Sequence, residues 1–196
     1  MTSSSYRPLF GFFLALTCTL LWGALPIFLT LALQSMNGET ITFYRFLFAA
    51  VVVGIALVIQ QSLPSVTQIR RSGLWLMLLA AFGLTLNYVL NLYGLMFIDP
   101  ETVQVVTQLA PFLLMIGSIV IYKESFNLIE ALGATVLFTG LLVFFNENLN
   151  RVFSTESDYS AGVWLIVLGS FAWALYALLQ KRLLKVYSAK QLTFLI

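Results

Sequence analysis

Six stretches of about 20 mostly apolar residues follow one another along the chain, and this pattern constrains the fold more than any other feature. A helix of roughly that length is needed to cross the ~30 Å hydrocarbon core of a bilayer. The predicted spans are residues 9–33, 40–60, 74–98, 102–122, 126–145 and 161–180, and a seventh begins near Gln191. The sequence therefore predicts an all-α integral membrane protein, a polytopic helical bundle whose outer surface contacts the lipid bilayer.

The composition and charge of the chain exclude several classes of function. Apolar types make up 60% of its residues and charged types only 9%, against about 25% charged residues in soluble domains. A net charge of +2 gives no basic excess for nucleic acid. The chain has no His and a single cysteine, Cys18, which removes His-based metal sites and nucleophile systems. We expect a protein that is not an enzyme and that binds no metal, cofactor or nucleic acid.

Basic residues are distributed unevenly between the connectors. One set of alternate connectors contains only Arg151. The other set contains Arg7, Arg70, Arg71, Lys123, Lys181, Arg182, Lys185 and Lys190. Because short connectors rich in Lys and Arg stay on the cytoplasmic side, this asymmetry predicts a cytoplasmic N-terminus.

Two short segments recur at one fixed offset, which indicates an internal repeat. Trp22 and Trp173 lie 151 residues apart in similar apolar contexts, and Ile41-Thr42-Phe43 falls on Leu192-Thr193-Phe194 at the same offset. The second unit begins at the sixth span, five spans after the start of the first unit. Because five is odd, the two units enter the membrane in opposite senses. Inverted repeats of this kind are typical of secondary transporters, whose substrate site lies near the midplane between the repeats.

The repeat divides the chain into two predicted units. Residues 1–147 form a complete five-helix repeat, and residues 161–196 form the start of a second. A complete second unit would give roughly 300 residues and ten spans, so we expect the natural gene product to continue beyond Ile196. The alternative is an inactive fragment or a half-length chain that assembles with another chain, for example as a homodimer.

Short motifs support this interpretation by their order. Leu21-Trp22-Gly23 lies in the first span and Tyr44-Arg45-Phe46 opens the second. Gln108-Leu109-Ala110-Pro111 begins a stretch that continues through Tyr122-Lys123-Glu124 to Gly133, and residues 173–184 look like the start of another unit. In this order the chain resembles the EamA branch of the drug/metabolite transporter superfamily. The resemblance implies an inner-membrane transporter of small organic metabolites with ten helices in two inverted five-helix units. Lys123-Glu124 departs from the family pattern, which more often has Glu-Arg there.

Arg45 is the only strongly basic residue inside a predicted span, about five residues from its outer end. Placing Arg at a helix centre costs about 2.5–3.5 kcal/mol, and less nearer the surface. The functional interpretation is a contact for a carboxylate or phosphate of the substrate. The alternative is a side chain that extends to the outer surface or pairs with Glu39.

Carboxamides and helix-breaking residues cluster on two predicted spans. Asn87 and Asn91 share one face of the third span, and Gln104, Thr107, Gln108 and Pro111 share one face of the fourth. Asn91 and Gln108 are expected at similar depth across a tight turn. This cluster predicts either the lining of a polar cavity for an uncharged or zwitterionic substrate, or hydrogen bonds that hold helices together.

Aromatic residues lie in the middle of two predicted spans. Trp22, Trp173 and Tyr176 are far from the interfaces where Trp is usually enriched. They are candidates for the walls of a site that suits organic substrates and cations, or for ordinary helix packing. Pro26 and Pro111 are predicted hinge or kink positions, because a proline frees a backbone carbonyl within a membrane helix.

Three local features carry further expectations. Asp99-Pro100-Glu101 is typical of a helix start, with Asp99 as the N-cap. Glu130 is the only carboxylate that falls within a predicted span. It lies near the cytoplasmic end of that span, where Lys123 or water would interact with its charge. Gly133 and Gly140 lie seven residues apart, which predicts a close helix contact.

Together these features predict a secondary-active permease or exporter of small organic metabolites that works by alternating access. A membrane-embedded enzyme is the less favoured alternative, since the chain has no His and no paired carboxylates within its spans.

Overall fold

The computed structural model describes residues 8–65, 74–146, 152–153 and 158–196, and within these ranges the chain is helical with no strand. The described residues form eight helices: α1 (Pro8–Leu33), α2 (Gly38–Ile59), α3 (Leu74–Gly94), α4 (Pro100–Thr107), α5 (Leu109–Tyr122), α6 (Leu128–Phe145), α7 (Asp158–Leu183) and α8 (Ala189–Leu195).

Six helical segments are long and apolar enough to cross a membrane, with α4 and α5 together forming one of them. The prediction of a polytopic helical membrane protein is confirmed. The third span is shorter than predicted, because α3 ends at Gly94 and residues 95–98 form turns. Leu95 and Ile98 are nevertheless buried in the bundle, each with 6% of its surface exposed. Their burial explains why the apolar run continues past the end of the helix.

The fourth span is broken at Gln108, between α4 and α5. Pro111 has no backbone N–H and cannot donate to the carbonyl of Thr107, four residues earlier, and its ring crowds that carbonyl. The Gln108 N–H bonds to the Val105 carbonyl at 3.1 Å, which tightens the last turn of α4. The break therefore lies where the chemistry of Pro111 requires it.

The start of α4 agrees with the sequence in position and differs in one contact. Asp99 is the N-cap and Pro100 follows at the first helical position. Asp99 is thus confirmed as the N-cap residue, although its side chain makes no capping hydrogen bond. Pro100 itself removes one of the N–H groups that would need a partner at the start of the helix.

The closest helix packing joins α3 to α7 through glycines. A Cβ added to Gly94 would lie 3.1 Å from the Gly162 carbonyl oxygen, and one added to Gly162 would lie 3.2 Å from that of Gly94. Small residues let membrane helices approach until their backbones touch, which increases dispersion contact where no hydrophobic effect operates. The buried residues Val163 and Ile166 of α7 then pack in one cluster with Leu95.

The end of α5 is held against α7 by Tyr122 and Glu124, and Lys123 between them ends the helix. The Tyr122 hydroxyl donates to the Leu178 carbonyl at 2.6 Å, Lys123 caps α5 in the left-handed conformation with φ 54°, and Glu124 accepts from Lys181. The hydrogen bond from the Lys181 ammonium holds the pKa of Glu124 below its usual value. The motif that departs from the family pattern thus anchors the first predicted unit to the second.

Helix α6 lies at the edge of the bundle and buries none of its residues. Two expectations about it are corrected. Gly133 and Gly140 have nothing within 4 Å of an added Cβ, so they make no close helix contact in the described structure. Glu130 belongs to a capping box instead of needing Lys123 or water: its carboxylate accepts from the Asn127 N–H at 3.0 Å, and its own N–H donates to the Asn127 side chain at 2.9 Å.

Candidate functional site

A cavity of about 1350 Å³ lies among α1, α2, α3, α7 and α8, which exceeds the roughly 300–1000 Å³ of most ligand pockets. Most of its surface is apolar. The residues with polar or aromatic groups in its lining include Trp22, Thr42, Tyr44, Arg45, Phe46, Phe48, Tyr88, Trp173, Tyr176, Gln180, Thr193 and Phe194. Four of the predicted site residues are therefore brought together here: Trp22, Arg45, Trp173 and Tyr176.

Residues that correspond in the predicted repeat line the same cavity. Trp22 lies near the middle of the 26-residue α1, and Trp173 near the middle of the 26-residue α7. Thr42 and Thr193, also 151 residues apart, lie in the lining on α2 and α8, and these two helices pack against each other. Equivalent positions of the two predicted units thus surround one space.

Arg45 is half-buried in the cavity wall, seven residues beyond the start of α2, about 10 Å along the helix axis at 1.5 Å per residue. Its guanidinium carbon lies 4.3 Å from the centre of the Tyr88 ring, and that ring meets Phe46 edge to face at 5.2 Å. Glu39 accepts a hydrogen bond from the Tyr93 hydroxyl instead. The proposed pairing of Arg45 with Glu39 is therefore absent from the described structure, and a cation–π contact takes its place.

The carboxamides predicted as one polar cluster are not in the cavity lining. The buried Asn87 side chain donates to the Gly169 carbonyl at 2.8 Å, and the Asn91 side chain donates to the Asn87 carbonyl at 2.8 Å. Gln108 lies exposed at the helix break. Gly169 explains why the two asparagines face α7 instead of the cavity. A Cβ at this position would lie only 2.8 Å from the Asn91 amide nitrogen. The asparagine face of α3 turns toward α7, where Asn87 holds the two helices together.

Gln104 has a different partner, on α1. Because Pro26 has no N–H, the Trp22 carbonyl four residues earlier lacks its helical donor. The Gln104 side chain supplies that donor at 3.0 Å, while α1 continues as an uninterrupted helix through the buried Pro26. The carbonyl freed by the proline is thus satisfied by a neighbouring helix, beside the cavity.

Sequence reasoning missed several lining residues. Tyr88 supports Arg45, and Gln180 donates to the Tyr176 hydroxyl at 2.7 Å. Thr193 lies inside the repeated segment, so extending the repeat from its match with Thr42 would have pointed to it. Over the ranges that the structure describes, there is no group of three or more His, Cys, Asp or Glu side chains that could hold a metal.

Comparison with known proteins agrees with this architecture. The model of the EamA-like transporter family matches residues 9–146. An uncharacterized transporter of Haemophilus influenzae is 35% identical over 95% of the chain and 60% of its own length, and the uncharacterized inner membrane transporter YhbE of Escherichia coli is 38% identical over 95% of the chain and 58% of its own length. The chain therefore spans about 60% of the length of these relatives. No solved structure matches it.

Proposed function

Because the chain belongs to the EamA-like transporter family of the drug/metabolite transporter superfamily, we propose that it moves a small organic metabolite across the membrane through the cavity between α1 and α7. One observation carries the proposal: Trp22 and Trp173, equivalent positions of the predicted repeat, line the same cavity near the middle of their helices. Substrate sites of inverted-repeat transporters lie at such a midplane interface.

We propose that transport proceeds by alternating access between the two predicted units, residues 1–147 and the start of the second at residues 161–196. The presence of Trp22 and Trp173, one from each predicted unit, in the lining of one cavity supports this mechanism. Rocking of one unit against the other would expose the same walls to each side in turn. The break at Gln108 and the proline in α1 give the first unit two places where a helix can bend without losing many hydrogen bonds.

The protein lies in the inner membrane with its N-terminus in the cytoplasm. The inner membrane location of the Escherichia coli relative supports the first part, and the positions of the basic residues support the second. Lys181 reaches Glu124, and Lys190 reaches Gln60 at 2.9 Å, at the same end of the bundle. Short cytoplasmic connectors carry such an excess of positive charge. The residues of the charge argument that lie outside the described ranges are Arg7, Arg70, Arg71 and Arg151.

Transport is tested in proteoliposomes that contain the protein expressed from its natural gene. The vesicles are loaded with the small-molecule pool of a bacterial extract, and the solutes that leave are identified by mass spectrometry. We expect a defined set of organic metabolites to leave faster than from protein-free vesicles. Release at the protein-free rate for every solute would contradict the proposal, and chemical conversion of a solute would favour the enzyme alternative.

A matched pair of tryptophan variants assigns the release to the cavity. Trp173→Ala removes a cavity wall, whereas Trp164→Ala alters the same helix at a side chain that meets Phe153 at 6.4 Å, away from the lining. We expect Trp173→Ala to slow release and Trp164→Ala to leave it near the wild-type rate. Equal effects in the two variants would place the pathway elsewhere.

A further inference from the structure

The charge of the cavity depends on one residue. Arg45 is the only charged side chain in the described lining, which contains no Asp or Glu. Among the described residues there is one ion pair, between Lys181 and Glu124 at the end of the bundle, and Arg45 takes no part in it. The charge of Arg45 is therefore not neutralised by a described carboxylate. In a largely apolar wall with reduced screening, this charge favours an anion and disfavours a cation.

The hydrogen-bonding groups of Arg45 are available to a ligand. The guanidinium carbon lies 4.3 Å from the Tyr88 ring centre, and a cation–π contact of this kind uses none of the guanidinium N–H groups as a hydrogen-bond donor to an oxygen acceptor. Its N–H donors point outward in the plane of the guanidinium, where a carboxylate, sulfonate or phosphate can accept two of them in parallel. Tyr88 thus supports Arg45 without occupying its donors.

A second donor faces the same space from α7. The Gln180 side chain donates to the Tyr176 hydroxyl oxygen at 2.7 Å, so the hydroxyl oxygen acts as an acceptor in that bond and its proton remains free. Among the described residues, no hydrogen bond donated by the Tyr176 hydroxyl is found. Together with Arg45, Tyr176 gives the polar part of the lining a surplus of donors, which suits a ligand that only accepts.

The remaining walls suit a flat apolar body. Trp22 and Trp173 enter the lining from α1 and α7, and rings stack on or meet the edges of other rings at such walls. The cavity volume of about 1350 Å³ leaves ample room for a single ring and its substituents.

We infer that the cavity selects organic anions that carry a flat apolar ring, with Arg45 binding the anionic group and Trp22 and Trp173 contacting the ring. This inference rests on the proposed transport function, because it names the substrate class of the same site. Tyr88 acts as a positioning residue that holds the guanidinium, and Tyr176 contributes the second donor.

Four solutes that cross lipid slowly test the inference in the same proteoliposomes. Benzenesulfonate carries a ring and a negative charge, and methanesulfonate carries the charge alone. Benzyltrimethylammonium carries a ring and a positive charge, and phenyl glucoside carries a ring without charge. We expect benzenesulfonate to leave wild-type vesicles fastest of the four. Its rate should exceed that of the cation by about tenfold or more, because the cation has no anionic group to accept hydrogen bonds from Arg45.

Variants then assign the selectivity to Arg45. Arg45→Gln should slow benzenesulfonate release by roughly 10- to 100-fold, the range for a lost hydrogen bond to a charged group, whereas Arg182→Gln, an exposed change outside the lining, should leave it unchanged. Tyr88→Leu should raise the KM for benzenesulfonate with little change in kcat, and Tyr88→Phe should restore it because the ring face is kept.

The outcomes separate this inference from the proposed function. Release of the cation or the neutral solute at the rate of benzenesulfonate, or an Arg45→Gln variant as active as wild type, would overturn the inference and leave transport intact. Retention of all four solutes would also overturn it. The proposed function fails only if the unselected metabolite pool stays inside the vesicles as well.

Discussion

Replacing Gly162 by alanine should destabilise the bundle, because this glycine sits where α7 meets the turn after α3. A Cβ at this position would lie 2.8 Å from the Phe97 Cβ, 2.8 Å from a methyl carbon of Ile98 and 3.2 Å from the Gly94 carbonyl oxygen. Two of these three atoms belong to or are bonded directly to the backbone, so they cannot rotate away. The added methyl group would therefore push the two segments apart.

The size of the effect follows from two opposing terms. Overpacking a well-packed site costs about 1–3 kcal/mol, while replacing a helical glycine by alanine gains up to about 1 kcal/mol from helix propensity. Gly133→Ala on α6 should show only the gain in stability from helix propensity, since nothing lies within 4 Å of its added Cβ. The difference in the free energy of unfolding between the two variants should thus be about 1–3 kcal/mol.

Thermal unfolding in one detergent measures this difference. For chains of this size, 1 kcal/mol corresponds to about 2–4 °C in Tm. We expect Gly162→Ala to melt roughly 2–12 °C below Gly133→Ala, with the monodisperse fraction read by fluorescence-detected size-exclusion chromatography after heating. A Gly162→Ala variant that melts at or above the temperature of Gly133→Ala would refute the close packing of α3 on α7.

Three further predictions test separate contacts. Asn87→Leu should lower the free energy of unfolding by about 0.6–1.7 kcal/mol, because the Gly169 carbonyl loses its donor. Transport per folded molecule should persist in this variant. A loss of transport at unchanged Tm would contradict a purely interhelical role for Asn87. Lys123→Gly should raise stability by about 0.5–1 kcal/mol in thermal melts, since a left-handed φ of 54° is unfavourable for lysine, and an unchanged or lower Tm would argue against that conformation. Because the pKa of Glu124 is lowered in the folded protein, its pair with Lys181 contributes its full stability above the ordinary pKa of 4.5. That stability is lost as the pH falls below 4.5 toward the lower folded-state pKa. In that acid range the Tm of the wild type should fall by more than the Tm of Glu124→Gln, and an identical fall in both would contradict the pairing.

The helices were predictable because length and hydropathy alone decide whether a segment can cross a bilayer. The break at Gln108 followed from Pro111, whose missing N–H acts locally. The end of α3 was not predictable in this way. Leu95 and Ile98 are as apolar as a membrane span, but their burial comes from contact with α7, more than 60 residues later in the chain.

The candidate site was predictable in part, for a similar reason. Trp22, Trp173 and Arg45 stood out because each is unusual at its depth, whatever its neighbours, and all three line the cavity. The role of Asn87 depended on which helix packs against α3. The sequence suggested that α3 packs against the fourth span, which follows it across the tight turn. In the structure, the glycines of α7 let α7 approach α3 more closely.

The central proposal, that the cavity between the two predicted units is the substrate pathway, is tested most directly by cysteine accessibility. After Cys18, the single cysteine of the sequence, is changed to serine, Leu84→Cys places a thiol in the cavity lining on α3 and Val136→Cys places one on α6, at a side chain 72% exposed on the outer surface. Both proteins are treated in membranes with a charged, lipid-impermeant methanethiosulfonate while metabolite release is followed. We predict rapid modification of Leu84→Cys that blocks release, with Val136→Cys protected by lipid. A cavity thiol that reacts as slowly as the lipid-facing one, or that reacts without slowing release, would contradict the account.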